Sequence, residues 1–344
     1  MYKFSYQWYL KNGFPANGIE KHDLKVFGTF ICGGGSTMGY KLAGYNHLGG
    51  VEIDKQITPI YKLNHNPKYL YNEDIREFRI RKDLPQELFE LDILDGSPPC
   101  SVFSLSGKRE KSWGIEKTFR EGQVKQSLDD LFFEYIALAK KLQPKIIIAE
   151  NVKGMLIGNA KIYCKKIKET FIEAGYEIQL FLLNASTMGV PQKRERVFFV
   201  ARRKDLKLPE LKLNFNEKPI LFSAISDEDD KKELLLGTNK KHDIWHIVKP
   251  GQTFQGYLPG VSGFDSRKLS YFETPSTIMA SQGGALYHPE YRRYLNQNEL
   301  CKIGSYPLDY NFGSLNSKYL IGMSVPPVMM AQLSYQIYLQ YFKK

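Results

Sequence analysis

Cysteine is scarce in this chain: four among 344 residues, at Cys32, Cys100, Cys164 and Cys301. No two form a Cys-x-x-Cys pair and none has a histidine at metal-ligand spacing. That excludes a disulfide framework and a structural zinc site. Long apolar runs are also missing, and no stretch approaches the ~18 residues needed to cross a bilayer. The N-terminal MYKFSYQWYLKNGFPANG has no apolar segment followed by a small-residue cleavage site, so it does not read as a secretion signal. There is no internal repeat, no low-complexity tract and no GxxxxGK[ST] loop, which argues against solenoids, linkers and P-loop enzymes. The expected setting is a reducing cytoplasm, with no membrane and no metal.

What the chain does have is a core and a basic excess. Hydrophobic residues make up 42%, with 22 Tyr and 21 Phe, enough apolar surface to rule out general disorder. Lys and Arg number 48 against 37 Asp and Glu, a net charge of +11 that favours a polyanionic partner. The length predicts two domains, or one with a lobe. Residues 26–31 read as a buried strand running into Cys32-Gly33-Gly34-Gly35 and an amphipathic helix. Further strands are expected at 48–53, at 89–95 (stopping at Gly96-Ser97-Pro98-Pro99-Cys100) and at 145–149 (ending at Glu150-Asn151). Two more are expected at 177–183 and 196–202. Helical spacing marks 128–142, and 160–174 with Gly175 as its stop. Strands alternating with helices predict an α/β fold, a doubly wound, mostly parallel sheet. Beyond residue 204 the pattern turns irregular, and helical patterning returns at 296–304 and 328–342. The expected domains are an N-terminal extension (1–25), a catalytic and cofactor-binding domain (26–203), a smaller irregular lobe (204–310) and a returning C-terminal segment (311–344).

Four features carry chemistry. Glycines let backbone N–H groups approach a ligand at a helix start, and Glu52, about 20 residues on, suits ribose hydroxyls in a dinucleotide or nucleoside site. The same residues would also serve as a tight turn and a surface acid. Cys100 follows a strand end stiffened by two prolines, the mouth of an α/β sheet, where a nucleophile is well placed. Cys32, Cys164 and Cys301 read as small buried hydrophobes. Glu150 ends an apolar strand, where a carboxylate can hold or donate a proton. Alternation puts Gln192, Arg194 and Arg196 on one face of a strand entry, suited to anion or carbonyl recognition.

As a set, these residues resemble the C5-cytosine DNA methyltransferases of bacteria and phages, over about 26–203 and 293–332. Phe30-Ile31-Cys32-Gly33-Gly34-Gly35 is similar to that family's S-adenosylmethionine loop, and Glu52 to its ribose-binding acid. Asp74-Ile75 is similar to its adenine motif, and Pro98-Pro99-Cys100 with Phe103-Ser104 and Ser106-Gly107-Lys108 to its nucleophile motif. Glu150-Asn151-Val152 resembles ENV, and Gln192, Arg194 and Arg196 fit QxRxR. Arg293-Tyr294-Leu295 with Glu299, Gly304, Tyr306 and Pro307 resembles the ninth motif, which organises the recognition lobe. Gly322-Met323-Ser324-Val325-Pro326 resembles the last motif, which returns to the cofactor. Four positions depart from the pattern. Cys32 stands for a glycine, Ile53 for an aromatic, Met323 for Asn and Lys302 for Arg.

The resemblance implies a Rossmann-like S-adenosylmethionine-dependent methyltransferase with a target-recognition lobe. It implies Cys100, Glu150, Arg194 and Arg196 as catalytic residues. Phe30, Gly33, Gly34, Gly35, Glu52, Ile53, Asp74, Ile75, Pro98, Ser324 and Val325 would hold the cofactor, which leaves as S-adenosylhomocysteine. Ser101, Ser104, Lys108 and Gln192 would bind substrate. The implied partners are double-stranded DNA and a cognate restriction endonuclease, for a monomer in a bacterial or phage-infected cell. A tRNA-directed branch shares these motifs but carries a cysteine signature in its lobe, and residues 204–290 contain no cysteine. A nucleotide-dependent oxidoreductase would explain the glycine loop and Glu52 but not Cys100, Glu150 and the arginines. A catalytically dead DNA-binding module would not need the intact catalytic set. The +11 charge is unevenly spread. Residues 204–275 hold 11 basic and 11 acidic residues, while 105–125 hold six basic and three acidic.

Overall fold

The strands that end at the glycine loop, at Pro98-Pro99 and at Glu150 lie in one sheet. A computed structural model describes residues 2–99, 130–158, 160–227, 240–257, 266–280 and 285–343. It divides into two compact units. One comprises Phe14–Leu183, Glu195–Leu213 and Leu333–Lys344. The other comprises Met1–Gly13, Asn184–Arg194 and Asn214–Gln332.

The first unit holds β1 (Lys25–Thr29), α1 (Gly35–Leu42), β2 (Asn46–Val51), α2 (Ile57–His65), β3 (Tyr69–Tyr71), α3 (Ile75–Ile80) and β4 (Ile93–Gly96). It continues with α4 (Leu131–Leu142), β5 (Ile146–Val152), α5 (Ala160–Glu173), β6 (Tyr176–Asn184) and β7 (Glu195–Arg203). The sheet order is β3-β2-β1-β4-β5-β7-β6. Strands β1 to β5 pair in parallel, and β7 runs antiparallel to β5. From β1 the chain winds outward through β2 and β3, then returns to β4 and β5 on the other side. The reversal sits between β1 and β4, and ligands of such sheets bind at the carboxyl ends of strands at that point.

Helical spacing correctly marked the buried side of α4: Leu131, Phe132, Tyr135, Ile136, Leu138 and Ala139 are all buried. Ile146, Ile147 and Ile148 of β5 are fully buried, as a strand covered on both faces requires. The α5 stop at Gly175 is also observed, with φ +95, a left-handed value glycine adopts at low cost. The strand expected at 89–95 is shorter. At its start the Asp92 side chain accepts from Lys25 N (2.7 Å) and Lys145 Nζ (2.7 Å), tying neighbouring strand starts together. Elements α2, β3 and α3 had no counterpart in the sequence reading.

The second unit contains α6 (Lys240–Asp243), α7 (Gln297–Gly304), α8 (Ser317–Met323) and the first half of α9 (Pro327–Ile337). Helix α7 starts in a capping box between Asn296 and Glu299. Glu299 also holds the buried Arg293 in a two-pronged ion pair at 2.7 and 2.9 Å. This is the ninth-motif segment, and its charged residues are spent on anchoring α7.

The division at 25, 203 and 310 expected from sequence does not coincide with these units. Trp8 Nε1 donates to Ser305 O, and the N–H groups of Leu10 and Lys11 bind Asp309, so the first residues join the second unit. Residues 184–194 join it through Lys193 N to Pro275 O. The end of α9 returns to the sheet unit, where Tyr45 Oη donates to Ser334 O at 2.9 Å.

Candidate active site

Between β1 and α1 the backbone is unusually contorted. Phe30, Cys32 and Gly34 all have left-handed φ, at +54, +47 and +78. Gly34 has no alternative, since a Cβ there would sit 2.1 Å from His65 Nε2. His65 in turn donates to Gly33 O at 3.2 Å, and burial holds its imidazole neutral, pulled down to about 3. Gly33 and Gly35 are buried, and Phe30 packs partly into the sheet core. Glu52 follows β2 and grips the loop: its Oε2 accepts from Cys32 N and its Oε1 from Asp54 N, both at 2.9 Å. Burial pushes the Glu52 carboxyl upward, and these two N–H groups oppose that. Half-buried Ile53 comes next. Asp74 caps α3 by accepting from Arg76 N, and its other oxygen pairs with Arg76 Nη1 at 2.9 Å. Ile75 is buried behind it.

The tips of β4 and β5 form the second half of this unit's constellation. Asn151 Nδ2 donates to Pro98 O at 3.0 Å, fixing the backbone two residues before Cys100. Glu150 is 9% exposed, and its Oε1 lies 2.8 Å from Arg196 Nε of β7. The pairing of Glu150 with Phe198 puts Arg196, two residues away, on the same face. A buried pair of this kind is held by geometry and by the cost of leaving either charge alone. The sequence reading brought Glu150 toward Cys100 by two adjacent strand ends; β4 and β5 are neighbours in the sheet, and Asn151 reaches Pro98.

Gln192 and Arg194 belong to the other unit and have different tasks there. Gln192 Nε2 donates to Ile303 O, and its Oε1 accepts from Ile278 N, both at 3.1 Å. Arg194, 2% exposed, donates to the carbonyls of Ile278, Gly322 and Ser324 at 3.1, 2.9 and 2.9 Å. Together they fasten the backbone at Ile278, Ile303 and Gly322–Ser324. Alternation had grouped them with Arg196, but β7 begins only at Glu195, and the chain changes units between Arg194 and Glu195. Ser324 and Val325 are buried in this second unit, with Ser324 Oγ accepting from Tyr306 Oη at 2.5 Å. Cys100, Ser101, Ser104 and Lys108 lie outside the described residues.

The family model for C-5 cytosine-specific DNA methylases matches residues 24–338. The chain belongs to that family. It is a DNA (cytosine-5-)-methyltransferase. The methylase is 31% identical over 331 residues to the type II methyltransferase M.FnuDI of Fusobacterium nucleatum, covering 88% of this chain and 91% of that one. It is 30% identical to M.Sau96I of Staphylococcus aureus, covering 93% and 77%. Among solved structures, one described as a prophage-encoded DNA modification methyltransferase (E. coli) aligns with a TM-score of 0.71 at 20% identity, over 93% of this chain and all of that one. Spodoptera frugiperda DNMT2 aligns at 0.63 and 20%, over 92% and 100%. These neighbours bear out the Rossmann-like fold. The tRNA alternative has less support, because the family model and the curated relatives are DNA methylases.

Two residues of the methylase's loop region escaped sequence reading. Arg76 clamps Asp74 and also reaches Asp130 at 2.5 Å, and Asn72 donates to Glu52 O at 2.7 Å. The Asp-x-Arg spacing at a helix start was the available signal. Cys32 is explained as well: its φ of +47 is the reason a glycine suits this position. Cys32→Gly is expected to raise stability by about 0.5–1 kcal/mol, the left-handed cost less glycine's extra chain entropy. Urea denaturation checks this, and a destabilised variant would contradict it.

Proposed function

We propose that the methylase modifies a cytosine swung out of duplex DNA, with Cys100 as nucleophile and Glu150 and Arg196 as its partners on the ring. The single observation that carries this reading is the buried Arg196–Glu150 pair on the strand beside the tip that Asn151 anchors. C5 of cytosine is a poor nucleophile. Attack of the Cys100 thiolate on C6 would form an S–C6 bond and push electron density to C5. Glu150 would protonate N3, and Arg196 would hydrogen-bond O2, offsetting the charge that develops there. Once C5 has been methylated, loss of its proton expels the thiolate and frees Cys100. A stacked base cannot reach a strand-tip site, so the target must leave the helix.

The family implies S-adenosylmethionine as methyl donor, and the donor set fits it. Buried Glu52 offers two carboxylate oxygens to a ribose diol beside a left-handed glycine loop. Asp74 stands at the start of α3, after the neighbouring strand. Phe30, Gly33, Gly34, Gly35, Glu52, Ile53, Asp74, Ile75 and Pro98 would hold it. When bound, S-adenosylmethionine supplies an electrophilic methyl group and departs as S-adenosylhomocysteine.

The lobe within 204–290 would read the bases, while the basic stretch at 105–125 would meet phosphates. Changing Lys108, Arg109 and Lys111 together to Gln is expected to lower the log–log salt slope of DNA binding by up to about 2.7, at ~0.9 per phosphate contact. Titrations at several salt concentrations measure the slope. A changed target sequence would contradict this division of labour. A cognate restriction endonuclease is the proposed partner, because the curated relatives are named type II methyltransferases. The function is tested by supplying a labelled methyl donor with duplex DNA and tRNA in parallel. Label at C5 of cytosine in DNA is expected, and transfer to tRNA alone would overturn the reading. Bisulfite sequencing of DNA from expressing cells then gives the target.

A further inference from the structure

His65 is the last residue of α2 and is 4% exposed. Its contacts lead to the glycine loop and to the helix which that loop opens. Its Nε2 lies 3.2 Å from the Gly33 carbonyl, and its own carbonyl accepts from Lys41 Nζ of α1 at 2.9 Å. Its ring centre stands 4.5 Å from that of Tyr61, whose hydroxyl bonds Thr37 Oγ1 of α1 at 2.9 Å. The loop is shaped around this ring. A Cβ on Gly34 would fall 2.1, 2.7 and 2.8 Å from three of the ring's atoms, so the imidazole fills the space a side chain there would need. Burial keeps the ring neutral, and a carbonyl only accepts, so Nε2 carries the proton.

We propose that His65 is a positioning residue for the methyl donor: its Nε2–H fixes the Gly33–Gly34 peptide and so presets the glycine loop, without touching the reacting atoms. The proposal rests on the reading that this loop holds the donor. The Gly33–Gly34 peptide is held on both edges. Its oxygen takes the imidazole proton, and its N–H donates to Ile31 O at 2.9 Å. One residue earlier, Cys32 N is held by Glu52. A planar peptide fixed at oxygen and nitrogen cannot turn, although the two glycines beside it would otherwise allow many orientations. The loop is therefore ordered when the chain folds and not when the donor arrives. Ordering in advance preserves affinity, because binding no longer carries the entropy loss. Gly34 is accordingly a glycine for two reasons, its φ of +78 and the histidine beside it.

The test is calorimetric titration of the whole enzyme with S-adenosylhomocysteine, beside single-turnover methyl transfer to duplex DNA. His65→Leu keeps a similar volume and loses the donor. It is expected to weaken S-adenosylhomocysteine about five- to twentyfold, the share of one buried hydrogen bond. The rate at saturating S-adenosylmethionine and KM for DNA should stay within about twofold, a split that a general structural defect would not respect. His65→Gln returns an N–H near the Nε2 position and should recover affinity to within about threefold of the parent. Tyr61→Phe loses the bond to Thr37 and leaves the Gly33 carbonyl held, so its affinity should stay within about twofold. His65→Asn, which stops short of the Gly33 carbonyl, decides in place of His65→Leu if that variant does not fold. Parental affinity in the variant lacking the bond overturns the proposal. So does a His65→Gln enzyme as weak as His65→Leu, or an equal loss in Tyr61→Phe. Glu52→Ala separates the two levels. Parental affinity there defeats the reading of the loop as the donor site, whereas a large loss there with unweakened His65 variants defeats the His65 proposal only.

Discussion

Cys100→Ala is expected to remove methyl transfer, by on the order of 10⁴-fold or more, while duplex DNA is still bound. The size follows from the chemistry. Without an S–C6 bond, C5 carries no added electron density, and the protonation at N3 has nothing to assist. Binding survives because the substitution deletes one sulfur and leaves the Pro98 carbonyl bonded to Asn151. Two measurements separate these effects: methyl incorporation and DNA retention in a gel-shift titration. Duplex DNA containing 5-fluorocytosine adds a third. There the proton at C5 is replaced by fluorine, so the thiolate cannot be expelled and the parent enzyme stays attached through denaturation. Cys100→Ala should leave no such adduct. A substituted enzyme that keeps full activity would end the covalent mechanism.

Arg194→Lys is expected to act on stability, unlike a change at Arg196. The guanidinium of Arg194 reaches the carbonyls of Ile278, Gly322 and Ser324 from one fully enclosed position. An ammonium is a point donor on a flexible stem and cannot span that fork. Buried acceptors left without a donor cost about 1–3 kcal/mol each, so a loss of about 3 kcal/mol or more is expected. The denaturation midpoint of the whole chain reads this directly. Arg196→Lys, by contrast, keeps a charge near Glu150 but misplaces it, so its main effect should fall on the methyl-transfer rate. An Arg194→Lys enzyme with parental stability and a collapsed rate would return Arg194 to the chemistry.

The contrast between these arginines shows how far the sequence could be read. Period-two alternation put Gln192, Arg194 and Arg196 on one face, but of the three only Arg196 lies in a strand, β7. Alternation carries no information about which neighbours receive a face when the chain passes from one unit to the next, as it does after Arg194. The sheet strands were legible because buried strands leave dense apolar runs such as Ile146–Ile148. Elements β3 and α3 were not, since a three-residue strand and a six-residue helix are too short to show a period, whereas the nine-residue α2 carries Ile57, Ile60 and Tyr61 at helical spacing and was missed. Cys32 was visible as a departure, but its cause was a backbone angle that no side-chain pattern reports.

The way the chain threads its two units has a consequence for how the protein is made. The indole of Trp8 bonds the carbonyl of Ser305, 297 residues later. At about 5–20 residues per second, a ribosome needs roughly 15–60 s to bring that partner into existence. For that interval the first dozen residues have no native place to go. The sheet is equally kept waiting, because Tyr45 finds Ser334 only 289 residues later. Neither unit can be released by a single cut in the gene, and the methylase is expected to complete its fold only after most of it has left the ribosome.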